Sequence, residues 1–341
     1  MSANDEALGA QGASGTRTGL TRRTALAGLA AALGGPALAQ SGEAWPSRPV
    51  RIIAPFAPGG SADTLGRLVG QELSQSLKQP FVVENRPGGG GVLGSSAVAR
   101  AAPDGYNLLI SGIASHVIAP AIGSGADYDG VRSFTHVAYL GGPPIALVVR
   151  VADPARTLPD FIQASRRGQS KSFSSPGVGT HGHLIGEMFR QAANAGLEHV
   201  PYRGGNNSIS DLLGGVLDCG FMALPSAAGS IRGGQLRALA VSSQERLPAF
   251  PEVPTFRESG YPDLVATTWF GLSGPAGLAP AIAEKLNEEV RRILALPAMV
   301  QRLNDEGAVS RPLTVAEFTR FVQEETERWV PIARASGAQA Q

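Results

Sequence analysis

The chain alternates short continuous apolar runs with longer stretches in which apolar residues recur at helical spacing. A β-branched run over residues 50–54 predicts a buried strand. Pro55 and Pro58 end it, because neither offers a backbone N–H to a sheet. Leu65, Leu68, Val69 and Leu73 then follow one helical face, with Ser61 or Asp63 as the expected N-cap. Residues 81–84 read as a second strand, followed by Asn85-Arg86-Pro87, four glycines at 88–91, and a helix over 92–101. After the turn Pro103-Asp104-Gly105, residues 106–110 form a third strand that opens into Ser111, Gly112 and Ser115. Strand and helix alternating at these lengths predict a mainly parallel sheet covered by helices.

Two apolar runs, 134–140 and 145–151, flank Gly141-Gly142-Pro143-Pro144, which suits a crossing between lobes. A second α/β series follows. It has a helix opened by Thr157-Leu158-Pro159-Asp160, strands near 171–175, 199–203, 218–224 and 236–241, and a helical turn at 225–231. Residues 265–272 read as a strand leading back to the first lobe. Helices over 279–294, 297–306 and 314–335 then suit the back of its sheet, the last with Phe318, Phe321, Val322 and Trp329 at helical spacing. The expected division is a first lobe of 45–141 plus 265–341 and a second of 142–264. Hinge motion is expected at 140–145 and 261–269.

Two loops carry the candidate chemistry. In the first, Phe56, Ala57, Pro58, Gly59, Gly60, Ser61 and Asp63 link a strand to a helix N-terminus, where free N–H groups and the helix dipole favour an anion. An ordinary strand-to-helix turn has the same local look. In the second, Ser175, Gly177, Gly179 and Thr180 repeat the arrangement. Two such loops facing one another could hold one anion between two helix N-termini. Ser111, Gly112 and Ser115 offer further hydroxyl and N–H groups.

Other chemistries find less support. Gly89, Gly91 and Gly94 match G-x-G-x-x-G, but they follow the second strand, and the next strand does not end in an acid for a ribose. His181, His183 and Glu187 have the spacing of a metal site on a β-barrel, yet here they fall on a helix. His181 and His183 therefore stand as ligand-contacting or structural residues, with no metal expected. No G-x-S-x-G elbow and no H-E-x-x-H occurs. No catalytic residue is assigned and no cofactor is expected. An exported α/β enzyme acting on a small carboxylate is the alternative reading.

Composition narrows the setting. Residues 1–17 are polar and rich in Gly, Ala and Ser. Arg22-Arg23 then precedes an uncharged stretch ending in Ala37-Leu38-Ala39, the pattern of a twin-arginine signal peptide cleaved after Ala39. The formal charge of +1 falls to about zero without residues 1–39, which carry Arg17, Arg22 and Arg23 against Asp5 and Glu6. A nucleic-acid partner therefore gains no support. Cys219 is the only cysteine, so no internal disulfide or thiolate cluster is possible. No later segment offers the roughly 18 consecutive apolar residues of a spanning helix, and a soluble exported monomer is expected.

Pro55-Phe56-Ala57-Pro58-Gly59-Gly60-Ser61-Ala62-Asp63 resembles the signature of the tripartite tricarboxylate transporter substrate-binding receptors, also called the Bug family. Val83-Glu84-Asn85-Arg86-Pro87-Gly88, Ala102-Pro103-Asp104-Gly105-Tyr106, His199-Val200-Pro201-Tyr202-Arg203-Gly204 and Trp269-Phe270-Gly271-Leu272 resemble its other blocks, in the same order. The resemblance implies a two-lobed type II periplasmic binding protein that closes on a small organic carboxylate. It also implies delivery of that acid to a membrane transporter or sensor, with the membrane subunits of a tripartite tricarboxylate transporter as candidate partners. The family grip on the carboxylate, through backbone N–H groups and bound water, corresponds here to Pro58–Ser61 and Ser175–Thr180. Where family members often carry Phe-Asp-x-Leu-Pro-Ser, this chain has Phe221-Met222-Ala223-Leu224-Pro225-Ser226. Met222 and Ala223 are accordingly expected in the cleft, favouring a neutral-bodied or aromatic monocarboxylate, or a dicarboxylate without an amine, over aspartate or glutamate.

Overall fold

The computed structural model describes residues 45–336 apart from 169, 203, 204 and 306, and leaves the side chains of 205–207 undescribed. The signal-peptide expectation and the Arg203-Gly204 pair lie outside the described residues.

Two five-stranded sheets organise the chain. Strands β1 (Val50–Ala54), β2 (Phe81–Asn85), β3 (Asn107–Gly112), β4 (Phe134–Gly141) and β10 (Phe270–Pro275) form the first, in the order β2-β1-β3-β10-β4. Strands β5 (Ile145–Arg150), β6 (Lys171–Ser175), β7 (Leu197–Pro201), β8 (Cys219–Ala223) and β9 (Leu236–Val241) form the second, in the order β7-β6-β8-β5-β9.

One strand in each sheet breaks the parallel arrangement. β10 runs antiparallel to β3 and β4, and β5 runs antiparallel to β8 and β9. Both are the strands by which the chain enters a sheet from the other one. The chain leaves the first sheet at the end of β4, so it enters the second from that same side and β5 must run back against its neighbours. β10 repeats the geometry on the return. Residues 265–269 lie before β10 instead of within it, a correction to the longer strand read from the apolar run.

The two passages run side by side. Thr268 N–H donates to the Pro143 carbonyl at 2.9 Å, and Pro144 bridges Thr267 in antiparallel fashion. Ser242 ties them to the second sheet: its hydroxyl accepts from Ile145 N–H at 2.8 Å and donates to the Ala266 carbonyl at 2.6 Å. A Cβ at Gly142 would collide with the Thr268 carbonyl, so the close backbone approach requires glycine there.

Helices cover the sheets by burying the faces read from their periodicity. In α1 (Ser61–Leu77), Leu65, Val69 and Leu73 join Val50 and Ile52 in one core cluster. Helix α2 (Val92–Ala99) buries Val92 and Val98. In the second lobe, α3 (Leu158–Arg167) starts with a capping box made by Thr157 and Asp160. α4 (His181–Ala192) lies over Phe173 and Phe221, and α5 (Gly205–Gly214) and α6 (Leu224–Arg232) pack on the other side. α7 (Pro280–Leu294) and α9 (Val315–Ala335) return to β4, with α8 (Pro297–Asp305) between them in sequence. α9 inserts Phe318, Val322 and Trp329, all fully buried. Cys219 is buried in β8, where burial pushes its thiol well above the ordinary range. None of the described helices is long and apolar enough to cross a membrane.

Candidate functional site

The first loop is built by its glycines and by one acid. Gly59 takes φ +82°, the left-handed region that side chains avoid, so the turn after Pro58 depends on it. Gly60 is the N-cap of α1 with extended backbone (φ −78°, ψ 169°) and carries no capping side chain. Neither Ser61 nor Asp63 is the cap, which corrects the expectation from sequence. Ser61 opens the helix, and Asp63 turns back to staple the loop. Its carboxylate accepts from Gly59 N–H at 3.0 Å and Asn85 Nδ2 at 2.9 Å, and pairs with Arg67 at 2.9 Å. Arg67 contributes most to holding the Asp63 carboxyl down at about 2; burial, the next largest effect, opposes it, and the bonds from Gly59 and Asn85 add to the lowering. Asn85 also donates to the Phe56 carbonyl at 3.1 Å, locking the loop to β2. A glycine cap leaves the first-turn N–H groups of α1 without a side-chain acceptor.

The second loop reaches the same result differently. Thr180 caps α4, accepting from His183 N–H at 3.4 Å while donating to the Gly177 carbonyl at 2.7 Å. His183 Nδ1 accepts from Gly179 N–H at 3.1 Å. The His183 ring stacks on His199 with centroids 3.9 Å apart, and His199 Nε2 pairs with the Ser175 hydroxyl at 2.7 Å. Burial, reinforced by the neighbouring ring, pulls His199 down to about 4, so the stack is neutral near pH 7. Ser175, Gly177, Gly179 and His183 thus shape the loop from behind.

His181, the first residue of α4, joins the lobes. Its Nδ1 pairs with the Thr268 hydroxyl at 3.0 Å, and its ring meets Trp329 of α9 edge-to-face at 4.7 Å. Burial lowers its pKa to about 3, so it is a neutral imidazole. Behind it, Glu325 Oε2 accepts from the indole N–H of Trp269 at 3.1 Å and of Trp329 at 3.2 Å.

A cavity of about 290 Å³ lies between the two sheets where these loops meet. The starts of both helices line it: Gly60, Ser61 and Ala62 of α1, and Thr180, His181 and Gly182 of α4. Phe56, Gly112, Ile113, Ala114, Ile145, Pro176, Ala223, Thr268, Trp269 and Phe270 complete the wall. Of the residues expected from sequence, Phe56, Gly60, Ser61, Gly112, Thr180, His181 and Ala223 therefore reach the cavity. Ala57, Pro58 and Gly59 belong to the supporting loop.

Three expectations turn out differently. Met222 is fully buried with Leu212, Leu224 and Ala227 in the core of the second lobe, because successive residues of β8 face opposite sides of the sheet. Ser111 faces inward and accepts from Ser273 Oγ at 2.8 Å. Ser115 sits in a π-helical turn (Ala114–Ile118), bonded to the Gly112 carbonyl at 3.3 Å and to His116 Nδ1 at 3.1 Å. Ile113 and Ile145 were missed, since an apolar residue at a strand end gives no polar signal, whereas Pro176 lies within the expected 175–180 loop. Thr268, Trp269 and Phe270 had a signal in the second passage between sheets. Among the described residues, no group of three or more His, Cys, Asp or Glu is placed to hold a metal ion.

Two lobes on mixed sheets, joined by paired passages and opening a cavity between helix N-termini, define a periplasmic binding protein fold. Several solved structures share it, two of them with a bound acid. R. palustris Rpa4515 with adipate has a TM-score of 0.77 and 30% identity, covering 86% of this chain and 99% of that one. MatC from Rhodopseudomonas palustris with bound malate has a TM-score of 0.73 and 32% identity, covering 85% and 100%. Protein BugT of Bordetella pertussis strain Tohama I is 35% identical over 321 residues, 94% of this chain and 98% of its own length. The family profile described as tripartite tricarboxylate transporter family receptor matches residues 65–338. The chain belongs to this receptor family. It is a solute-binding receptor, and the enzyme reading is set aside because its relatives are receptors.

Proposed function

We propose that this receptor captures a small organic carboxylate in the 290 Å³ cavity. It would then deliver the acid, as a monomer, to the membrane subunits of a tripartite tricarboxylate transporter. The observation that carries this reading is the pair of helix N-termini opening on one cavity, where unpaired N–H groups and two dipoles favour an anion. The adipate and malate bound by Rpa4515 and MatC support the same ligand class. In this reading the lobes are 45–141 with 265–341, and 142–264, and the chain is exported to the periplasm with cleavage after Ala39. Gly60, Ser61, Thr180 and His181 contact the acid, while Asp63, Ser175 and His183 hold the loops in place.

Mass spectrometry of the small molecule released on unfolding the protein purified from its native host tests the reading. A carboxylic acid that restores thermal stabilisation when added back is the expected result. A released ligand without an acid group would overturn it.

A further inference from the structure

We infer that His181 is a specificity-determining residue whose Nε2–H donates to a carboxylate oxygen of the ligand, and that Thr268 is the positioning residue that places the proton on that nitrogen. The inference rests on the reading of the cavity as the ligand site and names one side-chain contact within it. Its basis is a buried nitrogen that the fold leaves unused. His181 is 3% exposed and forms part of the cavity wall. Its Nδ1 bonds to the Thr268 hydroxyl at 3.0 Å, and its ring is held edge-to-face against Trp329. Trp329 is fixed in turn by its indole bond to Glu325. These contacts account for Nδ1 and for the ring. They leave Nε2 fully buried with no hydrogen-bond partner among the described residues. Buried polar atoms are paired in nearly every protein, so an open one on the wall of a ligand cavity marks a contact made by the ligand.

The Thr268 hydroxyl decides what kind of atom that contact is. Burial keeps the ring neutral, so it carries one proton on one of its two nitrogens. With the proton on Nδ1, the ring would donate to Thr268 and leave both the hydroxyl proton and the Nε2 lone pair unmatched. With the hydroxyl donating to Nδ1 instead, only the Nε2–H is left over. The second arrangement satisfies one more group, and it turns a donor over to the ligand.

The place of His181 in the chain says what accepts from it. It is the first residue of α4, at the helix start whose dipole favours an anion. Thr180 caps that helix through the His183 N–H and spends its own proton on the Gly177 carbonyl, so its hydroxyl is already committed. The capping bond takes neither the His181 nor the Gly182 N–H. A carboxylate at this helix end would therefore meet backbone donors and, from the same residue, one rigid side-chain donor. A charged acceptor makes such a bond roughly twice as strong as a neutral one. The Trp329 ring face is the competing partner for Nε2–H, and an N–H directed at a ring is the weaker kind of contact.

Amide substitutions separate the two nitrogens, because a glutamine amide reaches the position of Nε2 and an asparagine amide that of Nδ1. Calorimetry of dialysed protein with malate and with adipate is the first test. His181→Asn, which keeps a partner for Thr268, should bind the acid at least about tenfold more weakly than His181→Gln, as loss of one bond to a charged acceptor requires. If the asparagine variant binds as tightly as the glutamine variant, His181 is structural and the inference is overturned. Imidazole nitrogen spectra of histidine-labelled protein are the second test, with the His181 signals identified by their loss in His181→Gln. The expected result is an Nε2–H tautomer whose Nε2 signal moves on adding the acid. Thr268→Val should mix the tautomers and weaken binding, and Thr268→Ser should restore both. An Nδ1–H tautomer in the unaltered protein, or an Nε2 signal unmoved by an acid that calorimetry shows to bind, overturns the inference while the receptor reading stands. Absence of binding by both acids also overturns it, the receptor reading being judged separately by the acid released from the native protein.

Discussion

Adjacent glycines in the first loop should respond in opposite ways to the same substitution. Gly60 has extended backbone (φ −78°), and a Cβ built there has one neighbour within 4 Å, the Ala57 carbonyl at 3.6 Å. Gly60→Val should therefore fold, at a cost of about 1 kcal/mol for a poor N-cap residue. Its three added carbons, on the order of 60–80 Å³ at interior packing density, would occupy a quarter of the 290 Å³ cavity beside the α1 N–H groups. A carboxylate displaced from that helix end loses one or two charge-assisted hydrogen bonds, at about 1.5–3 kcal/mol each. Affinity should fall by at least about tenfold and by several hundredfold if both are lost. Gly59→Val meets no atom within 4 Å but must adopt φ +82°. It should destabilise the fold by about 1–3 kcal/mol as a strained β-branched residue. Calorimetry at a temperature where both variants are folded, with thermal unfolding alongside, separates the outcomes. A Gly60→Val protein with unchanged affinity would refute the reasoning, whether or not its melting temperature moved.

Three further outcomes follow from the same contacts. The Asp63 carboxyl is lowered from 3.8 to about 2, chiefly by Arg67. Its stabilisation is present above pH 4 and lost as pH falls through 2. Asp63→Asn should cost about 1–2 kcal/mol at pH 7 and flatten the acid limb of the stability curve, read by urea titration at several pH values. Glu325→Ala strips the acceptor from two buried indoles and should cost about 2–4 kcal/mol, whereas Glu325→Gln keeps an accepting oxygen and should cost under about 1 kcal/mol. Equal losses in the two variants, measured by denaturant unfolding, would show that the indole bonds are not the reason. Closure about the paired passages should shrink the radius of gyration on saturation with ligand, and an unchanged scattering curve would count against a hinge.

Most elements of the fold were legible because each is a local pattern. The run at 50–54, the alternation of strand and helix, and the spacing of Leu65, Val69 and Leu73 all name buried faces without reference to the rest of the chain. The prolines and glycines of the first loop likewise announced a strand handing over to a helix N-terminus. What escaped was what depends on direction. The antiparallel course of β5 and β10 follows from the side on which the chain enters each sheet, and no local period encodes that. The capping of α1 by Gly60 escaped too, because Asp63 could cap the helix or brace the loop, and the choice turned on Arg67 and Asn85 arriving from elsewhere.

The candidate site divides along the same line. From sequence alone came the two Gly-rich loops and, with them, Phe56, Gly60, Ser61, Thr180 and His181 on the cavity wall. Only the tertiary structure decided that Met222 belongs to the core while Ala223 meets the cavity. Only it brought Ile113, Ile145, Thr268 and Trp269 to that wall. The physical reason is that backbone turns and helix starts are written in a few consecutive residues. The chemistry of a cavity is instead the sum of side chains from separate strand ends, including those that contribute no charge at all.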